Sequence, residues 1–125
     1  MKYLVVDDSK MAKKMVVKVL SSFLEEGDEI FEANDGLEGV NLYKDKKPDL
    51  VFMDLTMPIM DGFSATMEIN RFDENAKVIA ISADIQQKAV DRVMQRGALS
   101  FVQKPINEEK MRVILEEYVG VGIDG

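Results

Sequence analysis

Cysteine and histidine are both absent from the 125 residues, and proline occurs only three times. Without the first two there are no disulfides, no zinc sites of the usual ligand types, no Cys or His nucleophiles, no haem attachment and no histidine-dependent acid/base mechanism. Basic residues are also in deficit: 16 Lys and Arg against 23 Asp and Glu leave a formal charge of −7. Such a surface repels nucleic acid phosphates and anionic membranes unless a dense basic stripe intervenes. The nearest candidate is Lys10, Lys13, Lys14 and Lys18, most of which share one helical face. No aromatics interleave with them to stack on bases, so they read as a solvated face. Long apolar runs are missing as well: none approaches the roughly 18 residues that span a bilayer. The first run, Tyr3 to Val6, ends in two aspartates and is no signal peptide. These absences predict a cytoplasmic protein with neither nucleic acid partner nor membrane insertion.

What is present suits one compact domain. The chain is 46% hydrophobic, and this length buries roughly two-thirds of its unfolded surface without needing a metal or disulfide for stability. Short β-branched runs alternate with amphipathic stretches, five of each. Strands are expected at Tyr3 to Val6, Glu29 to Ala33, Leu50 to Met53, Lys77 to Ile81 and Ser100 to Val102. Between them, Met11, Met15, Val19 and Phe23 recur at four-residue steps, and Met111, Ile114, Leu115 and Tyr118 at i, i+3, i+4, i+7; each row predicts the buried face of a helix. Most of the nine methionines therefore read as core filler. Asn34-Asp35-Gly36, Lys47-Pro48-Asp49, Gly97 and Asn107-Glu108-Glu109 supply the turns, stops and caps. Strict alternation with short connections implies a doubly wound α/β domain, a parallel sheet with helices on both faces. The domain is expected over residues 1–119, with residues 120–125 a short tail.

In such sheets the binding crevice lies beyond the carboxyl ends of the strands. There the sequence places Asp7 and Asp8 after the first strand, Asp54 after the third, Ser82 after the fourth and Lys104-Pro105 after the fifth. Crowded carboxylates repel one another unless a cation or protons are bound, and with oxygen ligands only the natural cation is Mg²⁺, with Mn²⁺ as a substitute. A carboxylate beside such an ion can attack phosphorus and form an acyl phosphate. Lys104 would neutralise the phosphoryl group and Ser82 would donate to its oxygen. Singly, each residue could be a cap, a turn former or a loop charge; together they point to a phosphoryl site. Neither a G-x-G-x-x-G nor a Walker-type loop follows the first strand, which disfavours dinucleotides and nucleoside triphosphates.

These motifs, Leu4-Val5-Val6-Asp7-Asp8-Ser9, Pro48 through Asp54 to Met57-Pro58 and Asp61-Gly62, Ile81-Ser82-Ala83 and Lys104-Pro105, resemble the receiver domains of two-component response regulators, closest in layout to single-domain chemotaxis-type regulators. The resemblance implies a flavodoxin-like (βα)5 fold with strand order 2-1-3-4-5. It implies that Asp54 is the phosphoacceptor, that Asp8, Asp54 and the Thr56 backbone carbonyl ligate Mg²⁺, and that Asp7 acts through a bound water. Ser82 and Lys104 would hold the phosphoryl oxygens, the Lys104-Pro105 bond would be cis, and Gly62 would permit the turn after the acceptor. Ser82 and Phe101 would form the switch pair, with Ser replacing the family's common Thr and Phe its Tyr. Thr56 and Asp84 would tune the phosphoryl lifetime. The output face would be the fourth helix, fifth strand and fifth helix, including Gln95, Phe101 and Met111.

The implied partners are a sensor histidine kinase or histidine phosphotransfer protein and a downstream flagellar-motor or relay target. The implied chemistry is self-catalysed phosphotransfer and autodephosphorylation rather than metabolic catalysis, in a monomer that could dimerise on activation. Three alternatives differ in class or role: a relay receiver that only shuttles phosphate, a pseudo-receiver binding module that is never phosphorylated, and an aspartate-nucleophile phosphatase of the haloacid dehalogenase kind. The last needs a second Asp two residues beyond the nucleophile, where this chain has Thr56.

Overall fold

A computed structural model describes residues 1–83 and 86–120. Its elements run β1 (Lys2–Val6), α1 (Lys10–Ser21), β2 (Glu29–Ala33), α2 (Gly36–Lys46), β3 (Leu50–Asp54), α3 (Gly62–Phe72), β4 (Val78–Ser82), α4 (Gln87–Gln95), β5 (Ser100–Gln103) and α5 (Glu108–Val119). All strand pairs are parallel and the sheet order is β2-β1-β3-β4-β5. The reversal between β1 and β3 opens the crevice in which ligands of such sheets sit.

Alternation along the central strands sends side chains to two cores. Tyr3, Val5, Leu50, Phe52, Ile79 and Ile81 pack with α1 and α5, while Leu4, Val6, Val51, Met53 and Val78 pack with α2 and α3. The central strands β1, β3 and β4 are buried on both faces, which is why they read as continuous apolar runs; the outer strands β2 and β5 are only partly covered. Helix starts follow the cap signals: Ser9, Asp35, Asp61 and Asn107 each accept a backbone N–H of the first turn. Gly97 follows α4 at φ 110°, and Lys47 takes the left-handed position after α2. No described helix is long and apolar enough to cross a membrane. The expected tail from residue 121 onward lies outside the described residues.

Three expectations fail here. On α1 the buried residues are Lys13, Val16 and Leu20, whereas Met11 is 75% and Met15 50% exposed. The row that faces the sheet is thus offset from the methionine row, because the β-branched and Leu side chains at 16, 17 and 20 make the better-packing stripe. The lysine stripe loses Lys13 to the interior, leaving Lys10, Lys14 and Lys18 exposed. On α5, Met111 is fully buried against the α1 side of the core and presents nothing to a partner.

Candidate functional site

The strand ends deliver the acidic cluster. Ligand oxygens of Asp7, Asp8 and Asp54 all lie within 4.8 Å of one another, the one such acidic grouping among the described residues. Asp7 is wholly buried and Asp54 is 5% exposed, while Asp8 faces solvent. β1 and β3 are direct neighbours, pairing Val6 with Met53, so their C-terminal residues are adjacent by register alone.

Lys104 closes the cluster from the other side. Its Nζ donates to Asp7 Oδ2 at 2.8 Å and lies 3.0 Å from Asp54 Oδ1. It is carried there by β5, whose Gln103 pairs with Ser82, and by the Lys104 N–H donating to the Ser82 carbonyl at 2.9 Å. The Lys104-Pro105 peptide is cis, as expected. Ser82, at the end of β4, is buried beside the register position of Asp54, which pairs with Ile81.

The electrostatics follow from crowding. Burial, together with the charges of Asp7 and Asp8, holds the Asp54 carboxyl above its ordinary pKa despite the opposing Lys104 ammonium. Burial weakens the Lys104 ammonium, but its bonds to Asp7 and Asp54 outweigh this and hold its pKa above the ordinary lysine value. Both Asp7 oxygens are engaged, Oδ2 by Lys104 and Oδ1 by the Ser9 N–H at 2.9 Å. Asp8 carries no hydrogen bond or ion pair among the described residues, so its oxygens are available to a cation. Three convergent carboxylates, only partly offset by one ammonium, form a net-negative oxygen donor set that suits a hard dication such as Mg²⁺.

The segment after Asp54 is shaped by close approach. Gly62 begins α3, and a Cβ there would lie 2.1 Å from the Asp54 carbonyl oxygen and 2.7 Å from Leu55 Cα. Its role is therefore space, and the left-handed residue of the loop is instead Ile59, at φ 68° and 78% exposed. The Met60 N–H donates back to the Pro58 carbonyl at 2.7 Å, making a tight turn about Ile59. Thr56, two residues past Asp54, has an exposed side chain. Phe101 is half-buried and packs against the cluster of Leu55, Ala80, Val93 and Ala98. Gln95 on α4 is exposed. Asp84 lies outside the described residues.

A doubly wound sheet whose first, third and fifth strands bring two aspartates, one aspartate and a lysine to a common edge defines a class of α/β domains with an acidic, lysine-closed site at the strand ends. Comparison with known proteins makes this specific: residues 3–116 match the family described as the response regulator receiver domain. The chain is similar to the chemotaxis protein CheY of Treponema pallidum, 43% identical over 111 residues that cover 86% of this chain and 75% of that protein. It is also similar to the protein CcdB of Bacillus subtilis, 40% identical with 94% of this chain and 96% of that one covered. Among solved structures, the CheX-CheY-BeF3-Mg complex from Borrelia burgdorferi superposes with a TM-score of 0.82 at 34% identity, covering 93% of this chain and 87% of that one. The chain belongs to the response regulator receiver family and is of the CheY type, a signalling domain whose family works through phosphorylation.

Sequence reasoning missed one buried charge. Lys13, in the interior at 6% exposure, donates from Nζ to Asn34 Oδ1 at the end of β2. The signal was its spacing, three before Val16 and seven before Leu20, which places it on the buried stripe of α1.

Proposed function

We propose that this chain is a Mg²⁺-dependent switch that accepts a phosphoryl group on Asp54 from a histidine kinase or a histidine phosphotransfer protein in the cytoplasm. The observation that carries the reading is the Lys104 ammonium bridging Asp7 and Asp54 inside a cluster of three carboxylates. An Asp54 carboxylate oxygen bonds to phosphorus as the phosphorus–nitrogen bond to the donor imidazole breaks, and the nitrogen keeps the electron pair. Asp7, Asp8, Asp54 and the Thr56 carbonyl would hold the ion, Asp7 through a water. When bound, the ion neutralises charge on the phosphoryl oxygens. Lys104 moves its hydrogen bond from Asp54 to a phosphoryl oxygen, and Ser82 donates to another.

Hydrolysis returns the carboxylate and inorganic phosphate, so the domain resets itself, and by the family resemblance Thr56 and Asp84 tune the rate at which it does so. Drawing Ser82 toward the phosphoryl group vacates room for Phe101, whose ring leaves the Leu55 and Val93 contacts and alters the face built by α4, β5 and α5. Gln95 and Phe101 belong to that face. The similarity to chemotaxis proteins favours chemotaxis as the pathway; the target is then a flagellar-motor or relay component.

Incubation with acetyl phosphate tests this reading. The intact protein should gain one phosphoryl group only when Mg²⁺ is present, and Asp54→Asn should gain none. Equal labelling of the variant would sink the acceptor assignment.

A further inference from the structure

Lys13 is the one lysine or arginine in the interior among the described residues, and its neighbour is a neutral amide rather than a carboxylate. Packing alone does not explain it. The same stripe carries Val16 and Leu20, and an apolar side chain at position 13 would avoid the desolvation of an ammonium. What lysine adds is reach and a donor aimed at Asn34.

Asn34 sits in the turn between β2 and α2, which supplies no carboxylate to the cluster yet touches both segments that do. On one side the Asp7 N–H donates to the Ala33 carbonyl at 3.1 Å. On the other, the Gly36 N–H donates to the Met60 carbonyl at 3.1 Å, and a Cβ on Gly36 would stand 2.2 Å from that oxygen. Met60 closes the loop that starts at Asp54, whose far end is pinned by the Gly62 N–H on the Leu55 carbonyl at 3.0 Å. The Lys13 backbone N–H itself donates to the Ser9 carbonyl at 2.9 Å. The helix turn next to Asp8 is thus fixed to the β2–α2 turn by a side chain, and that turn is fixed to the Asp54 loop by its backbone.

We infer that Lys13 and Asn34 are positioning residues of the acidic site: their hydrogen bond holds the Asp7-Asp8 turn and the Asp54 loop at the separation a divalent ion requires. The inference rests on the proposed Mg²⁺ role of that cluster. It makes a prediction whose sign separates it from simple electrostatics. By charge alone, removing a buried ammonium from the helix that follows Asp8 should, if anything, tighten binding of a dication. If the bond positions the ligands, removing it should loosen binding, by about tenfold for a supporting partner of a metal site.

Calorimetric titration of the unphosphorylated protein with Mg²⁺ decides between them. Lys13→Met and Asn34→Ala should each weaken binding by about tenfold, and the double variant should be no weaker than either, because one bond is lost in every case. Lys13→Arg, which keeps a donor, should bind within about twofold of wild type. Labelling by acetyl phosphate at saturating Mg²⁺ should reach the wild-type maximal rate in all variants, with only the half-saturating Mg²⁺ concentration raised. Melting in EDTA reports whether each variant folds, and Asn34→Ala, on an exposed residue, keeps the test intact if Lys13→Met does not. Tighter or unchanged binding by Lys13→Met, or unchanged binding by Asn34→Ala, would overturn the inference. A wild-type protein that binds no Mg²⁺ would instead overturn the metal reading beneath it.

Discussion

Replacing Lys104 by Met removes the only ammonium in contact with the carboxylate cluster among the described residues, and the consequence can be worked from distances. At an effective dielectric of about 20, contacts of 2.8 Å to Asp7 and 3.0 Å to Asp54 are each worth roughly 5–6 kcal/mol before desolvation. Carboxylate oxygens within 4.8 Å oppose one another by roughly 3.5 kcal/mol for each pair. Attraction and repulsion are therefore of similar size in the native protein, and the variant keeps only the repulsion. Desolvation of the ammonium offsets part of the loss, as does the 22% exposure of its side chain and the freedom of exposed Asp8 to move. A net destabilisation of about 2–4 kcal/mol remains, reaching the lower part of the roughly 3–5 kcal/mol that breaking one side of a fully buried pair costs.

For a domain of this size each kcal/mol corresponds to roughly 3–5 °C, so melting in EDTA at pH 7 should fall by about 6–20 °C. Mg²⁺ should then raise the midpoint of Lys104→Met by more than it raises wild type, because the dication becomes the sole counter-charge. Acid should narrow the gap as well. A carboxyl with a raised folded-state pKa binds a proton more readily when folded, so protonating Asp54 stabilises the native state as pH falls through that pKa. The effect is larger in the variant, which lacks the Lys104 contacts that pull the pKa down. A variant that melts within about 2 °C of wild type in EDTA, or gains no more from Mg²⁺, would refute this reasoning.

Further outcomes follow from individual residues. Asp54→Asn in EDTA should melt higher than wild type, since it removes a carboxylate whose raised pKa marks its ionised form as unfavourable in the fold; a lower midpoint would contradict that. Burial raises the Tyr3 phenol from 10.0 to about 12, so its contribution is complete below pH 10 and fades as pH rises to about 12. The unfolding free energy from urea titrations across that window should fall by roughly 2 kcal/mol more in wild type than in Tyr3→Phe. Ile59→Asn should stabilise by about 1 kcal/mol, because Asn tolerates the left-handed backbone that a β-branched residue does not; an unchanged melting curve would deny the strain. Gly62→Ala should cost about 3 kcal/mol and slow labelling by acetyl phosphate, since its methyl displaces the Asp54 carbonyl.

Much of this was legible from residues alone, for identifiable reasons. β1, β3 and β4 are buried on both faces, so nothing interrupts their apolar runs until the aspartate or serine at each end. That same abruptness exposed the site: a charge closing a buried strand has no packing explanation. Helix α1 was harder, because Met11 and Met15 mimic a core row while the true one runs through Lys13, Val16 and Leu20. A lysine whose stem packs and whose ammonium finds an amide looks, in sequence, like any other lysine beside it. Met111 could not be both core and output surface, and only packing against α1 and the sheet decides it for the core. Gly62 and Ile59 show a similar limit. Glycine signals either left-handed backbone or close approach, and which one applies depends on where the Asp54 carbonyl points.

The account stands or falls on which atom takes the phosphoryl group. Reduction of the acetyl-phosphate-treated protein with borohydride converts an aspartyl phosphate to homoserine, and peptide mass spectrometry then reads the position. Homoserine at residue 54 alone, formed only when Mg²⁺ accompanied the phosphodonor, is the result expected from a carboxylate held between Asp7, Asp8 and Lys104. Homoserine at residue 7 or 8 instead, or labelling that survives in Asp54→Asn, would contradict it.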